Sequence, residues 1–236
     1  DYWGADLAVN RGRNNFDNLR IDYYRDDTVA LEAFKAHEFD WRTENTAKVW
    51  AKAYNGPAIE AGLINKIEIP HEQPTGLSAF VFNTRQPLFA DRRVREALAL
   101  VFDYEWTNKN LFFGAYTRTR SYFSNSELAS SGLPSAAELA LLEPYRGRIP
   151  DEVFTTEFIP PTTDGSGKNR RSLRAASKLL REAGWVVSDG KLVHGETGAP
   201  FEFEFLMQSG GAFERIVQPF ARNLERLGIT VNIRLV

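Results

Sequence analysis

The stretch spanning residues 79–106, AFVFNTRQPLFADRRVREALALVFDYEW, constrains the fold more than any other part of the chain. Residues 79–83 read as a short buried strand, residues 84–90 as a turn built around Pro87, and Asp91 as the start of a helix. The short carboxylate of Asp91 can accept a hydrogen bond from an orphan N–H of the first helical turn, which makes it an N-cap. Val94, Ala97, Leu98 and Val101 then recur at the spacing that lines up one helical face. Arg92, Arg93, Arg95 and Glu96 fall mostly on the other faces. A buried strand feeding an amphipathic helix through a tight turn is an α/β element.

The preceding residues repeat that alternation. Residues 19–24 set Leu19, Ile21 and Tyr23 against Arg20, Asp22 and Tyr24, the period of a strand. Asp27 is expected to cap a helix over 28–37 with Val29, Ala33 and Phe34 inward, and 39–41 a short strand. A helix over 43–54 closes at Asn55, Gly56 and Pro57, and 64–70 reads as a strand. Two βα units and a strand ahead of residue 79 imply a mixed α/β lobe.

After the central stretch, Thr107 is expected to cap a short helix through Phe113, broken at Gly114. Residues 118–169 form a long tract with five prolines, whose clearest helix is 136–143. A tract of that length is functional or packed around the outside of its domain. Tyr122, Phe123, Leu139, Leu141, Leu142, Tyr145, Phe154, Phe158 and Ile159 all call for burial, so it should be ordered. Residues 173–183 form a helix with Gly184 at its C′ position. Strands at 185–187, 191–193 and 201–207 follow, around turns at 188–190 and 195–198. A helix over 212–227 contains Pro219, which should kink or break it. Gly228 ends that helix before an alternating strand at 229–235.

The residue inventory argues against catalysis. Cys is absent, and His37, His71 and His194 are the only imidazoles, in a helix end, a proline-flanked loop and a turn. There is no G-x-S-x-G elbow to supply a nucleophile, and no HExxH or close carboxylate spacing to hold a metal. DGSGKN at 164–169 has Thr162 and Asn169 where a phosphate loop needs Gly and Ser or Thr. Glu202 and Glu204 share one face of a strand, which solvent explains. A net charge of −2, with Asp91 and Glu96 diluting Arg92, Arg93 and Arg95, gives no support for nucleic-acid binding.

FNT, a proline-containing turn and then DRRVREALALVFDYE together resemble the central signature of the family 5 extracellular solute-binding proteins. These are the oligopeptide, dipeptide and nickel receptors of ABC importers. DYWG at residues 1–4, and LLREAGW at 179–185 followed by Asp189 and Gly190, agree in order. Residues 125–134 and the FIPPTTDGSG of 158–167 are most similar to the branch that takes up microcin-type and other oligopeptides. His37 stands near a glycine usual in the family, and Ala212 where some members have a cleft histidine.

The resemblance implies an α/β fold of the periplasmic binding protein type II kind, with mixed sheets flanked by helices. Residues 1–78 would form part of the first lobe and 79–236 most of the second, as an internal fragment truncated at its C-terminus, with the family's best-known ligand anchors beyond its end. It implies a monomeric receptor, without cofactor or metal, that captures oligopeptides in the Gram-negative periplasm and delivers them to an inner-membrane ABC permease. A receptor for a glycoside or nickel chelate, or an interaction module without a pocket, are the alternatives. Ligand contacts would come from Asn83, Arg85, Tyr116, Tyr122, Gln208 and Ser209. Asn83 carries a donor and an acceptor, which suits a peptide backbone or the fixing of its own turn equally. Tyr116 and Tyr122 could wall a cleft or fill the core, and Phe213 reads as core.

Overall fold

The computed structural model describes residues 3–13, 15–209 and 213–236. Asp1 and Tyr2 of DYWG, and Ala212, lie outside the described residues. The chain forms two compact units, residues 1–67 and 68–236.

The first unit contains helices α1 (Asp27–Lys35), α2 (Ala47–Lys52) and α3 (Pro57–Glu60). Asp26 caps α1, one residue earlier than the sequence suggested, accepting from the N–H groups of Thr28 and Val29. Ala30 and Leu31 are the buried residues of this helix, and Val29 is exposed. Its chain exit passes through His37 at φ +64°, the left-handed geometry that a glycine adopts freely. Helix α2 is shorter than the expected 43–54 because the Glu44 carboxylate draws residues 42–46 into a turn, accepting from Thr46 N–H, Arg42 and the Tyr54 hydroxyl.

The second unit carries α4 (Arg92–Val101), α5 (Tyr104–Leu111), α6 (Ala136–Leu142), α7 (Glu152–Thr155), α8 (Arg170–Glu182), β1 (Trp185–Ser188), β2 (Lys191–His194), β3 (Glu202–Met207), α9 (Glu214–Glu225) and β4 (Thr230–Leu235). Asp91 caps α4 through Arg93 N–H, and Val94, Ala97, Leu98 and Val101 are its buried face, as the spacing requires. That face packs along α8 through Leu173, Ala176 and Leu180. Phe220 and Leu224 of α9, with Trp185, Leu192, Phe201 and Ile229, complete one apolar core. Each buried large side chain there contributes about 1.5–3 kcal/mol of transfer free energy.

The described strands form two separate two-stranded sheets, one antiparallel and one parallel. Strands β1 and β2 form an antiparallel hairpin whose turn residues, Asp189 and Gly190, both have positive φ, the type I′ arrangement an Asp-Gly pair favours. Strands β3 and β4 are parallel, with Glu202 opposite Thr230 and Met207 opposite Leu235, joined by α9 as their crossover. Helix α9 continues through Pro219 without a break, although the proline has no N–H for the carbonyl of Arg215.

Several expected elements differ. Residues 19–24, 39–41, 64–70 and 79–83 belong to no ladder among the described residues. Residues 79–83 bury one face only: Phe80 and Phe82 pack against the core while Val81 is 89% exposed. A strand gains burial from its paired neighbours, and no described strand is hydrogen-bonded to these segments. Asp103, rather than Thr107, caps α5, accepting from Trp106 N–H. The hydroxyl of Thr107 is buried and donates to the Asp103 carbonyl. In the 118–169 tract only Phe154 of the named apolar residues is fully buried, and Tyr122, Phe123, Leu141, Tyr145, Phe158 and Ile159 are exposed. Side-chain hydrogen bonds order this tract instead. Asn125 donates to the carbonyls of His71 and Gln73, Arg118 to that of Pro161, and Thr163 to the carboxylates of Asp103 and Glu105.

Candidate functional site

In open sheets with helical crossovers, ligand-contacting loops sit at the carboxyl ends of parallel strands. Here that place is the end of β3 and β4. Gln208 and Ser209 leave β3 there, and both are exposed. The sheet pairing extends past the strands, because Val236 N–H donates to the Met207 carbonyl at 2.9 Å and Ser209 N–H to the Val236 carbonyl at 3.0 Å. The backbone of Ser209 is thus fixed while its hydroxyl makes no hydrogen bond among the described residues.

Helix α9 follows this strand end in the chain, and Arg215 lies in its first turn. Arg215 places its guanidinium carbon 5.6 Å from the centre of the Phe112 ring, and its buried Nε has no hydrogen-bond partner among the described residues. Phe112 in turn meets Tyr116 edge-on at 4.8 Å. The Tyr116 backbone is held at both ends by Asn108, whose amide donates to its carbonyl at 2.7 Å and accepts from its N–H at 3.2 Å. Tyr116 remains 45% exposed, so its ring is an open wall rather than core. Phe213 is also more exposed than the sequence implied, with its ring 6.3 Å from that of Phe80. Arg215 and the two rings form one cluster, and Gln208 and Ser209 expose polar groups where β3 stops. Such a set suits a carboxylate or amide group flanked by apolar surface.

The six expected contact residues do not share one place. Phe80 packs on Phe205 at 5.1 Å, whereas Phe82 reaches Phe203 through Phe89, so residues 79–83 run opposite in sense to β3. Asn83 and Arg85 therefore lie toward the amino end of β3, away from Gln208 and Ser209. The Asn83 side chain fixes its own turn, accepting from Arg85 N–H at 3.3 Å and Arg85 Nε at 3.4 Å. Tyr122 is 77% exposed in the long tract. Tyr116 belongs instead to the cluster of Phe112 and Arg215.

Arg215 and Phe112 were missed by sequence reasoning. A signal existed for Arg215: a cation in the first turn of a helix opposes the macrodipole, so that position is chosen for another reason. A separate cavity of about 290 Å³ lies between α5, α9 and residues 166–168, and it includes none of the six. Gly167 closes against Trp106 there, where a Cβ would stand 2.9 Å from the indole. Arg118 stacks on the Tyr104 ring, and burial pushes its guanidinium pKa down from the usual arginine range. Among the described residues, no group of three or more His, Asp or Glu is placed to hold a metal ion.

Comparison with known proteins agrees with this architecture. The family of bacterial extracellular solute-binding proteins, family 5, middle region, matches residues 1–236. An uncharacterized protein YejA of Escherichia coli (strain K12) is 49% identical over 236 residues, covering 100% of this chain and 39% of the relative. A probable peptide-binding protein YejA of Agrobacterium fabrum is 40% identical over 238 residues, with 100% and 39% covered. The chain thus spans 39% of the length of these relatives. In fold, it is similar to an ABC transporter substrate-binding protein from Sinorhizobium meliloti, with a TM-score of 0.56 at 20% identity over 90% of this chain and 37% of that one. With a match along its whole length, the chain belongs to the family 5 bacterial extracellular solute-binding proteins.

Proposed function

We propose that this chain is part of the substrate-binding component of an ABC importer, one that captures oligopeptides or peptide-like compounds in the periplasm and delivers them to an inner-membrane permease. The family is one of solute binding rather than catalysis, and a relative of 40% identity is named a probable peptide-binding protein. Two observations carry the peptide reading, the cation–aromatic cluster at the start of α9 and the polar residues at the carboxyl end of β3. The Arg215 guanidinium stands over Phe112, which meets Tyr116 edge-on. Gln208 and Ser209 supply uncommitted polar groups at the strand end. A peptide presents the complementary set, carboxylate or carbonyl oxygens between side chains that stack on rings.

In this reading residues 1–78 belong to one lobe and 79–236 to the other. Gln208, Ser209 and Tyr116 contact ligand, with Arg215 added to them; Tyr122 contributes from the long tract, and Asn83 with Arg85 holds the turn that leads into α4. The test is native mass spectrometry of the intact protein, as isolated and after exposure to a mixed peptide library. Co-purified or captured peptides support the proposal and give the length preference. A protein that ignores peptides but shifts with oligosaccharides or chelated nickel overturns the peptide assignment and leaves the family membership intact.

A further inference from the structure

Helix α8 carries a feature that solute binding does not use. Arg170, Arg171, Arg174, Lys178 and Arg181 are all exposed, while Leu173, Ala176 and Leu180 face the core. At roughly 100° per residue the five cations fall within an arc of about 100°, and from Arg170 to Arg181 they extend about 17 Å along the helix. Lys178 reaches Glu182 at 3.8 Å; among the described residues the four arginines make no ion pair. The basic surface continues past the amino end of the helix, where Arg226 donates to the Lys168 carbonyl at 3.0 Å and both side chains are exposed. This concentration stands in a chain whose net charge is −2.

We propose that this face of α8 docks on the surface of an anionic phospholipid bilayer. Four of its five cations are arginines, whose planar forks match phosphate oxygens. The arc holds no aromatic or large aliphatic side chain; Ser177, Ala175 and Glu182, the partner of Lys178, flank its edges. In a stable protein interface an anchoring arginine sits in a desolvated, well-packed pocket, and this face offers no apolar side chain to build one. A diffuse anionic surface needs no anchors, because each basic residue near it contributes independently. Attachment through a face of this chemistry is electrostatic, and salt screens it. The proposal does not depend on which solute is bound.

The test is sedimentation of the intact, solute-free protein with vesicles at low salt. One set is phosphatidylcholine alone, and the other contains phosphatidylglycerol. Binding to the anionic set only, weakening as salt is raised, is the expected result. The triple variant Arg171→Gln, Arg174→Gln, Arg181→Gln should lower partitioning about a hundredfold, at about fivefold for each basic residue removed. Arg120→Gln, Arg148→Gln, Lys191→Gln makes the same change in net charge on exposed residues elsewhere, and should lower it far less. Should the first triple fail to fold, the single variants Arg171→Gln and Arg174→Gln must each give about a fivefold loss. Equal sedimentation with both vesicle sets, equal losses from the two triples, or binding to an acidic polypeptide without any to vesicles would each overturn the proposal.

Discussion

Gly228 joins α9 to β4 at φ +81°, and its surroundings make replacement by alanine unusually costly. A Cβ there would stand 2.7 Å from the backbone nitrogen of Leu192 and 3.0 Å from the Gly190 carbonyl oxygen. These are backbone atoms of the β1–β2 hairpin, so no side-chain rotation relieves the overlap. The Gly228 carbonyl also accepts the Leu192 N–H at 2.8 Å, the bond that ties the hairpin to the end of α9. Left-handed backbone costs an alanine about 1–2 kcal/mol. Losing the tie adds about 1 kcal/mol, and partial exposure of the buried Leu192 side chain adds about 1 kcal/mol more. Gly228→Ala should therefore destabilise by about 3–4 kcal/mol. Gly190→Ala is the matched control, with φ +76° and nothing within 4 Å of its added Cβ, and should show the backbone cost alone. Urea unfolding of both variants measures the difference. If the two agree to within about half a kcal/mol, a typical additivity error, the close approach is not what Gly228 provides.

Three further outcomes follow from the same structure. Leu98 is 1% exposed between α4 and α8, and Leu98→Ala should cost about 3–4 kcal/mol in the same assay, a cavity-forming loss. The Asp91 carboxyl is held below the usual carboxylate range by hydrogen bonding to the Arg93 side chain, then by the Arg93 N–H. Its stabilisation is therefore complete above the unfolded value of about pH 4 and lost as pH falls through the lower folded value. An acid titration of stability should flatten in that window for Asp91→Asn, which keeps a capping oxygen and loses the ion pair. Ser135 and Glu138 form a reciprocal capping box on α6, a helix with no buried residues. Ser135→Ala should cost about 1 kcal/mol locally, seen as faster amide exchange within α6 rather than as a lower melting temperature.

Elements whose local signals agree with their packing were legible in the sequence. Asp91, the Val94 to Val101 spacing and Asp189–Gly190 each specify one backbone outcome, and α4 and the β1–β2 hairpin formed accordingly. Val81 and Ile21 were misread as inward because a strand's burial is conferred by its neighbours, which periodicity does not reveal. The α5 cap was a contest between Asp103 and Thr107, two residues of capping type. It is decided by Thr163, sixty positions along, whose hydroxyl binds the Asp103 carboxylate. The 118–169 tract was expected to be ordered by apolar burial. Its order rests instead on polar side chains such as Asn125, whose partners no composition discloses. At the candidate site, Gln208 and Ser209 were named through the family resemblance, in the loop that follows β3. Phe112 was not, because its role depends on Arg215 arriving over it from a distant helix.

The central claim is that ligand is held at the carboxyl end of β3. Calorimetric titration of the intact protein with a peptide it captures tests this most directly, comparing wild type, Arg215→Met and Asn83→Ala. A charge-assisted hydrogen bond contributes about 1.5–3 kcal/mol, so Arg215→Met should weaken binding about tenfold to hundredfold. Asn83→Ala should leave the affinity within about twofold, since its side chain is engaged with Arg85. Unchanged affinity in Arg215→Met together with a large loss in Asn83→Ala would place the ligand at the other end of the sheet and contradict the account.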